Sequence, residues 1–318
     1  MTITFPKNSV LLIILIAVCS VTPAFGQVKK AVTATQIRSI TIATQPDAAI
    51  WIDGVRYGTA DKAGKIEIKT VAAGAHTLRI RADGYKEKSQ PLTASQKGEI
   101  RVELTKTSDE ADLAFQDAER LAGNDGERSA AAYRKAIRLR PNYPEAFVGL
   151  ARVLAETSDV DGAVAAITSA RKLRPVYAEA SAVEGRILKD NGDEAKAIAS
   201  FKRAITDGKG FQPEAYAGLG LLYKEKAEGA GGSGDFDGET AAYNESAKAL
   251  KAAVKQLSGA PDAIVIYQLL GLIYERQKRF KEAIAVYEEF LRIFPTSAEA
   301  TAVESFIVQI KKDQLNQQ

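Results

Sequence analysis

Two hydrophobic periods divide this chain. From residue 38 apolar positions alternate with polar or mixed ones: Ile40 and Ile42 around Thr41, Ile50 and Ile52 around Trp51, Ile66 and Ile68 around Glu67, Leu78 and Ile80 around Arg79. Ile100, Val102 and Leu104 close the series. A period of two sends one side of each run into a core and leaves the other side mixed, the pattern of half-buried antiparallel strands. Asp53-Gly54, Ala63-Gly64, Ala73-Gly74, Asp83-Gly84 and Lys97-Gly98 stand between the runs as turn signals. The spacing predicts a small β-sandwich of about six or seven strands over residues 38–105.

Beyond this module the period becomes helical. Thr107-Ser108-Asp109-Glu110 has the spacing of a capping box, with acidic residues where a first helical turn favours them. Ala163, Ile167 and Ala170 return as Ala197, Phe201 and Ala204, each 34 residues later, and Ala283, Tyr287 and Pro295 continue the theme. Small residues recurring at that period, where two helices must touch, predict an array of about five helical hairpins stacked as a solenoid over residues 109–296. The glycine-rich stretch 229–238 interrupts the fourth hairpin and predicts a flexible surface loop. Residues 297–318 read as a capping helix and tail.

The β module resembles a PEGA domain. The resemblance rests on Pro46-Asp47-Ala48-Ala49-Ile50-Trp51-Ile52-Asp53-Gly54, then Gly58-Thr59, Gly74-Ala75-His76 and Gly84-Tyr85. Ala48 stands where the family's naming motif has glycine. The resemblance implies an extracytoplasmic setting and names no ligand. The helical segment is similar to the tetratricopeptide repeat, on Pro144-Glu145-Ala146-Phe147, Leu150-Ala151, Leu154 and Pro175, on Pro213-Glu214-Ala215-Tyr216, Leu219-Gly220 and Tyr223, and on Tyr267, Leu270-Gly271 and Tyr274. That resemblance implies a ligand groove lined by the first helix of each hairpin. Projected here, the groove presents Arg152, Arg186 and Lys189, then Leu221 and Lys224, then Leu272. It is expected to be basic at one end and apolar at the other, suiting an extended segment with acidic and apolar anchors. The family's Lys and Asn clamp for a C-terminal carboxylate is absent.

Residues 1–26 read as a signal peptide. Lys7 is their one charge, residues 10–21 are apolar but too few to span a bilayer, and Ala24 and Gly26 suit cleavage after Gly26. Residues 27–37 read as a linker. Cleavage would remove Cys19, the one cysteine, leaving neither disulfide nor thiolate site and no membrane span. It would also lower the net charge of +3 to +2 by loss of Lys7, too little for a nucleic-acid footprint. The chain is thus expected to be periplasmic or secreted.

Catalytic chemistry has no visible carrier. His76 is the one histidine and is expected to begin a strand at the edge of the sandwich. No nucleophile–base pair, phosphate loop or metal-ligand cluster is visible, and no cofactor is expected. Asp235, Asp237 and Glu239 lack the spacing of a calcium loop. Trp51 and Tyr57 would form either an exposed aromatic platform or part of a second packed layer. The expected function is a non-enzymatic, exported adaptor that docks a protein of the cell envelope. An alternative makes it a cell-wall-associated module whose β domain reads polysaccharide.

Overall fold

Seven strands carry the period-two alternation in the computed structural model, which describes residues 37–316. The expected signal peptide, and the linker up to residue 36, lie outside the described residues. The strands are β1 (Ile37–Ala43), β2 (Ala49–Ile52), β3 (Val55–Thr59), β4 (Lys65–Ala72), β5 (His76–Arg81), β6 (Lys88–Leu92) and β7 (Gly98–Arg101). They form a three-stranded sheet in the order β4-β1-β7 and a four-stranded sheet in the order β3-β2-β5-β6. Ile40, Ile42, Ile68 and Val71 of one sheet share a buried core with Ile50, Ile52, Leu78 and Ile80 of the other. One pairing departs from the antiparallel expectation: β7 runs parallel to β1. Residues 93–97 carry the chain from one sheet to the other before β7, so no hairpin dictates its direction.

The sole histidine has a structural role here. Asp53 and Gly54 both adopt positive φ, 51° and 81°, as a type I′ hairpin requires of its central pair. Asp53 Oδ1 accepts a hydrogen bond from the Thr77 N–H at 2.8 Å, and Oδ2 lies 2.6 Å from His76 Nδ1. His76 Nε2 lies 2.9 Å from the Ala72 carbonyl oxygen. The imidazole, at the start of β5, ties the β2–β3 hairpin to the β4–β5 turn.

Eleven described helices follow: α1 (Glu110–Leu121), α2 (Gly126–Leu139), α3 (Pro144–Glu156), α4 (Val160–Leu173), α5 (Ala178–Asp190), α6 (Glu194–Asp207), α7 (Pro213–Gly232), α8 (Phe236–Leu257), α9 (Ala263–Arg276), α10 (Phe280–Ile293) and α11 (Ala300–Asn316). The first ten pair as hairpins, and α1, α3, α5 and α7 lie side by side in one row. The repeating small residues make this close approach possible. A Cβ on Gly185 of α5 would stand 2.6 Å from the ring of Phe201 in α6, and one on Gly218 of α7 would overlap the same ring. Two small positions are filled by serine rather than alanine. Ser129 Oγ donates to the Ala118 carbonyl at 2.8 Å, and Ser246 Oγ to that of Gly220 at 2.6 Å, so both buried hydroxyls are satisfied. Phe290, too large for its place in the repeat pattern, is accommodated edge-on against Tyr267.

Two local expectations are corrected. Asp109, not Thr107, caps α1: its carboxylate accepts from the N–H groups of Ala111 and Asp112. Thr107 Oγ1 instead accepts from the Asp109 N–H at 3.1 Å and so positions the cap. The glycine-rich loop expected at 229–238 is mostly helix. α7 runs through Gly232, only residues 233–235 connect it to α8, and Asp235 caps α8 through the Gly238 N–H. Each glycine costs about 1 kcal/mol of helix propensity relative to alanine, yet two long helices packed along one another outweigh it. A Cβ at Gly231 would stand 2.7 Å from the Glu239 carboxyl carbon, so the missing side chain leaves room for the partner helix. Gly229→Ala, whose Cβ would meet nothing within 4 Å, is expected to stabilise the protein by about 0.5–1 kcal/mol. Gly234→Ala, at φ +82°, is expected to destabilise it by a similar amount. Urea denaturation of the two variants checks the opposite signs.

The β domain and the array belong to one compact unit and touch at two places. At the first, Gln116 of α1, only 7% exposed, accepts from the Gly84 N–H and donates to the Tyr85 carbonyl, both at 2.8 Å. At the second, the α8–α9 connection lodges against β3 and β4. Thr70 Oγ1 donates to the Gly259 carbonyl at 3.0 Å, Ser258 Oγ donates to the Thr70 carbonyl at 3.2 Å, and the Tyr57 hydroxyl donates to the Leu257 carbonyl at 3.4 Å. Burial pushes the Tyr57 phenol up to about 12. The sandwich therefore clasps the first hairpin and the junction of the fourth and fifth.

Candidate partner-binding surface

The four residues Arg152, Arg186, Leu221 and Leu272 occupy equivalent places. Each follows the small residue of its first helix: Ala151, Gly185, Gly220 and Gly271. Gly185, Gly220 and Gly271 face Phe201, Leu250 and Tyr287 of the second helices. The next residue is turned about 100° around the helix, away from that contact. Chemistry then divides the series.

The basic positions are engaged by the chain's own carboxylates. Arg152 Nη2 lies 3.2 Å from both Glu179 Oε1 and Glu214 Oε2, and Arg186 Nη1 lies 3.8 Å from Glu214. Glu179 and Glu214 sit in the first turns of α5 and α7, where helix dipoles favour negative charge. Burial opposes the charge on Arg152, but Glu214, Glu179 and then Glu119 outweigh it and hold the guanidinium above its ordinary range. Lys189 Nζ lies 3.1 Å from both Asp190 and Glu225, and Lys224 pairs with Glu228 one turn on at 2.7 Å. A ligand carboxylate arriving at this end would have to displace resident ones.

The apolar positions are open. Leu221 is 37% exposed and Leu272 is 53% exposed, and Val265, seven residues before Leu272 on the same face of α9, is 65% exposed. The repeat pattern places the cations but not their partners. The partners of Arg152 and Arg186 stand in Ala178-Glu179-Ala180 and Pro213-Glu214-Ala215, whose first-turn glutamates recur with the repeat. Glu145, at the corresponding place in α3, pairs instead with Arg174.

Trp51 lies on the outer side of the four-stranded sheet, opposite Ile50 and Ile52, and is half-buried. It is neither a bare platform nor sealed in a second layer. Guanidinium carbons of Arg79, Arg81 and Arg56 stand 4.5, 5.3 and 6.0 Å from its ring centre. Arg79 and Arg56 are its cross-strand partners on β5 and β3. Arg81 also stacks on Phe115 of α1 at 4.7 Å and pairs with Glu87 at 2.6 Å and Glu119 at 2.7 Å. Among the described residues, no cluster of three or more His, Cys, Asp or Glu is arranged to hold a metal ion. No described helix is long and apolar enough to cross a membrane.

Comparison with known proteins agrees with this architecture. Tetratricopeptide-repeat family models match residues 119–178, 150–213 and 265–297, and the PEGA domain model matches residues 37–108. The unmatched interval between the repeats holds the long hairpin α7–α8. Among solved structures, yeast Tom70 is similar with a TM-score of 0.51 at 18% identity, over 65% of this chain and 41% of that one. MamA from Desulfovibrio magneticus RS-1 aligns at 22% identity over 60% and 98% of the two chains, with a TM-score of 0.42. A thermophilic TPR protein of Thermus thermophilus aligns at 17% identity over 63% and 98%, with a TM-score of 0.44. No curated protein sequence matches the chain. At such identities the structural likeness concerns the fold alone. The family matches and the helical-hairpin packing together identify the chain as a tetratricopeptide-repeat protein with an N-terminal PEGA domain.

Proposed function

We propose that this protein-interaction scaffold docks an extended segment of a cell-envelope protein along the first helices of its last two hairpins. One observation carries the reading. At equivalent positions of the first helices, Arg152 and Arg186 are paired within the chain, whereas Leu221 and Leu272 remain exposed. Apolar groups left in water gain by being covered, at about 25 cal/mol per Å². Cations already paired with carboxylates of the chain, two at Arg152 and one at Arg186, gain less from a further one. The partner therefore anchors through apolar side chains at the α7 and α9 end, with Lys189 and Lys224 at the polar margin. The signal-like residues 1–26 and the PEGA domain, a type found in extracellular or periplasmic proteins, support export to the periplasm or beyond.

The test is affinity capture from envelope extract with residues 27–318 as bait, beside the same bait carrying Leu221→Asp and Leu272→Asp. The double variant is expected to lose at least about tenfold in captured partner, because it places carboxylates in an apolar contact. Its melting temperature should stay within about two degrees, since both sites are exposed. Undiminished capture by the double variant would remove this face from consideration.

A further inference from the structure

We propose that the outer face of the four-stranded sheet is a second docking surface, on which Arg56 and Arg79, stacked over Trp51, bind an acidic segment of a partner protein. The inference does not depend on the use of Leu221 and Leu272.

An internal comparison carries it. Among the described residues six arginines lie over aromatic rings: Arg56, Arg79 and Arg81 on Trp51, Arg140 on Tyr143, Arg174 on Tyr177 and Arg279 on Tyr274. Four of them also hold a carboxylate. Arg81 has Glu87 and Glu119, Arg140 has Asp109 and Asp112, Arg174 has Glu145, and Arg279 has Glu282. Arg56 and Arg79 have none among the described residues. Arg56 donates to the Thr59 hydroxyl at 3.2 Å, and Arg79 makes the ring contact. In this chain the stacked guanidinium is half of a recurring arrangement whose other half is a carboxylate. At Trp51 that other half is missing twice.

The chemistry selects the ligand. A guanidinium stacked on an indole has already lost much of its rotamer freedom, so its planar donor fork can receive a carboxylate at low entropic cost. Arg56 on β3 and Arg79 on β5 flank Trp51 on β2, which suits two carboxylates presented along an extended segment. A sugar would instead need an open aromatic face, and Arg79 covers the indole at 4.5 Å. Position adds rigidity. β3 is held to the α8–α9 connection through Tyr57, and the β5–β6 turn is held to α1 through Gly84 and Tyr85, so the face lies between two fixed contacts.

Trp51 is the only tryptophan in the chain, so its emission reports on this surface directly. The full chain would be titrated with a twelve-residue Asp/Glu-rich peptide, with an Asn/Gln peptide of the same length, and with polygalacturonate. A saturable emission change is expected with the acidic peptide, weakened by salt, and none with the neutral one. The Arg56→Gln/Arg79→Gln variant should bind the acidic peptide about a hundredfold more weakly, and Arg56→Gln alone about tenfold more weakly. Circular dichroism should be unchanged. No response to the acidic peptide, or equal affinity in both variants, would overturn the proposal. Tighter binding of polygalacturonate than of the peptide would overturn it too, by assigning the face to anionic carbohydrate.

Discussion

Phe201→Ala is expected to cost about 3–5 kcal/mol, the range for removing a buried phenylalanine from a close-packed core. Phe201 is 1% exposed and fills the space that Gly185 and Gly218 leave on either side. Those glycines have no side chains to move into the void, and the helices carrying them are pinned elsewhere, Ser200 to Glu184 and Arg152 to Glu214. The cavity can therefore collapse only partly, which places the cost toward the top of the range. The site also joins the third hairpin to the fourth, and in a repeat array stability propagates through such neighbour interfaces. Urea denaturation should show a lower midpoint and two separated transitions. A loss below about 1 kcal/mol with a single transition would show that the helices close over the gap.

Gly259→Val is expected to break the second clasp contact, at a cost of about 1–3 kcal/mol for forcing atoms into filled space. A Cβ at Gly259 would overlap both the hydroxyl and the Cβ of Thr70. The neighbouring Ser258 already holds φ 53° and ψ −122°, a conformation that L residues avoid and that its bond to the Thr70 carbonyl helps retain. Hydrogen exchange should accelerate in β4 and in residues 257–260 while the α1 contact around Gln116 stays protected. Thr70→Gly in the same chain removes the overlapping atoms and should restore part of the protection. Unchanged exchange in Gly259→Val would mean that the clasp is incidental.

The clasp shows why some of this architecture could be read in the chain and some could not. Alternation at Ile40, Ile42, Ile50 and Ile52 and the 34-residue return of Ala163, Ile167 and Ala170 are local, and they lead directly to a sandwich followed by a helical array. Thr70 and Gly259 stand 189 residues apart, and neither carries a mark that it will meet the other. The glycine run at 229–232 misled because its own preference is for loop, and the preference was overridden by α8 lying alongside. The equivalent first-helix positions were legible in the repeat, but the surroundings of the basic ones were not. Leu221 and Leu272 needed only the repeat to place them, whereas the state of Arg152 depends on glutamates 27 and 62 residues away.

Periodicity and residue size thus settle which elements form and which face of each is buried, because burial along a single helix or strand is a property of neighbours in sequence. Whether a charge is spent inside the protein or left for a partner is settled by distances across helices and between the two domains. Arg152 and Arg79 look alike in the sequence. One is closed by Glu179 and Glu214, and the other has only the face of Trp51.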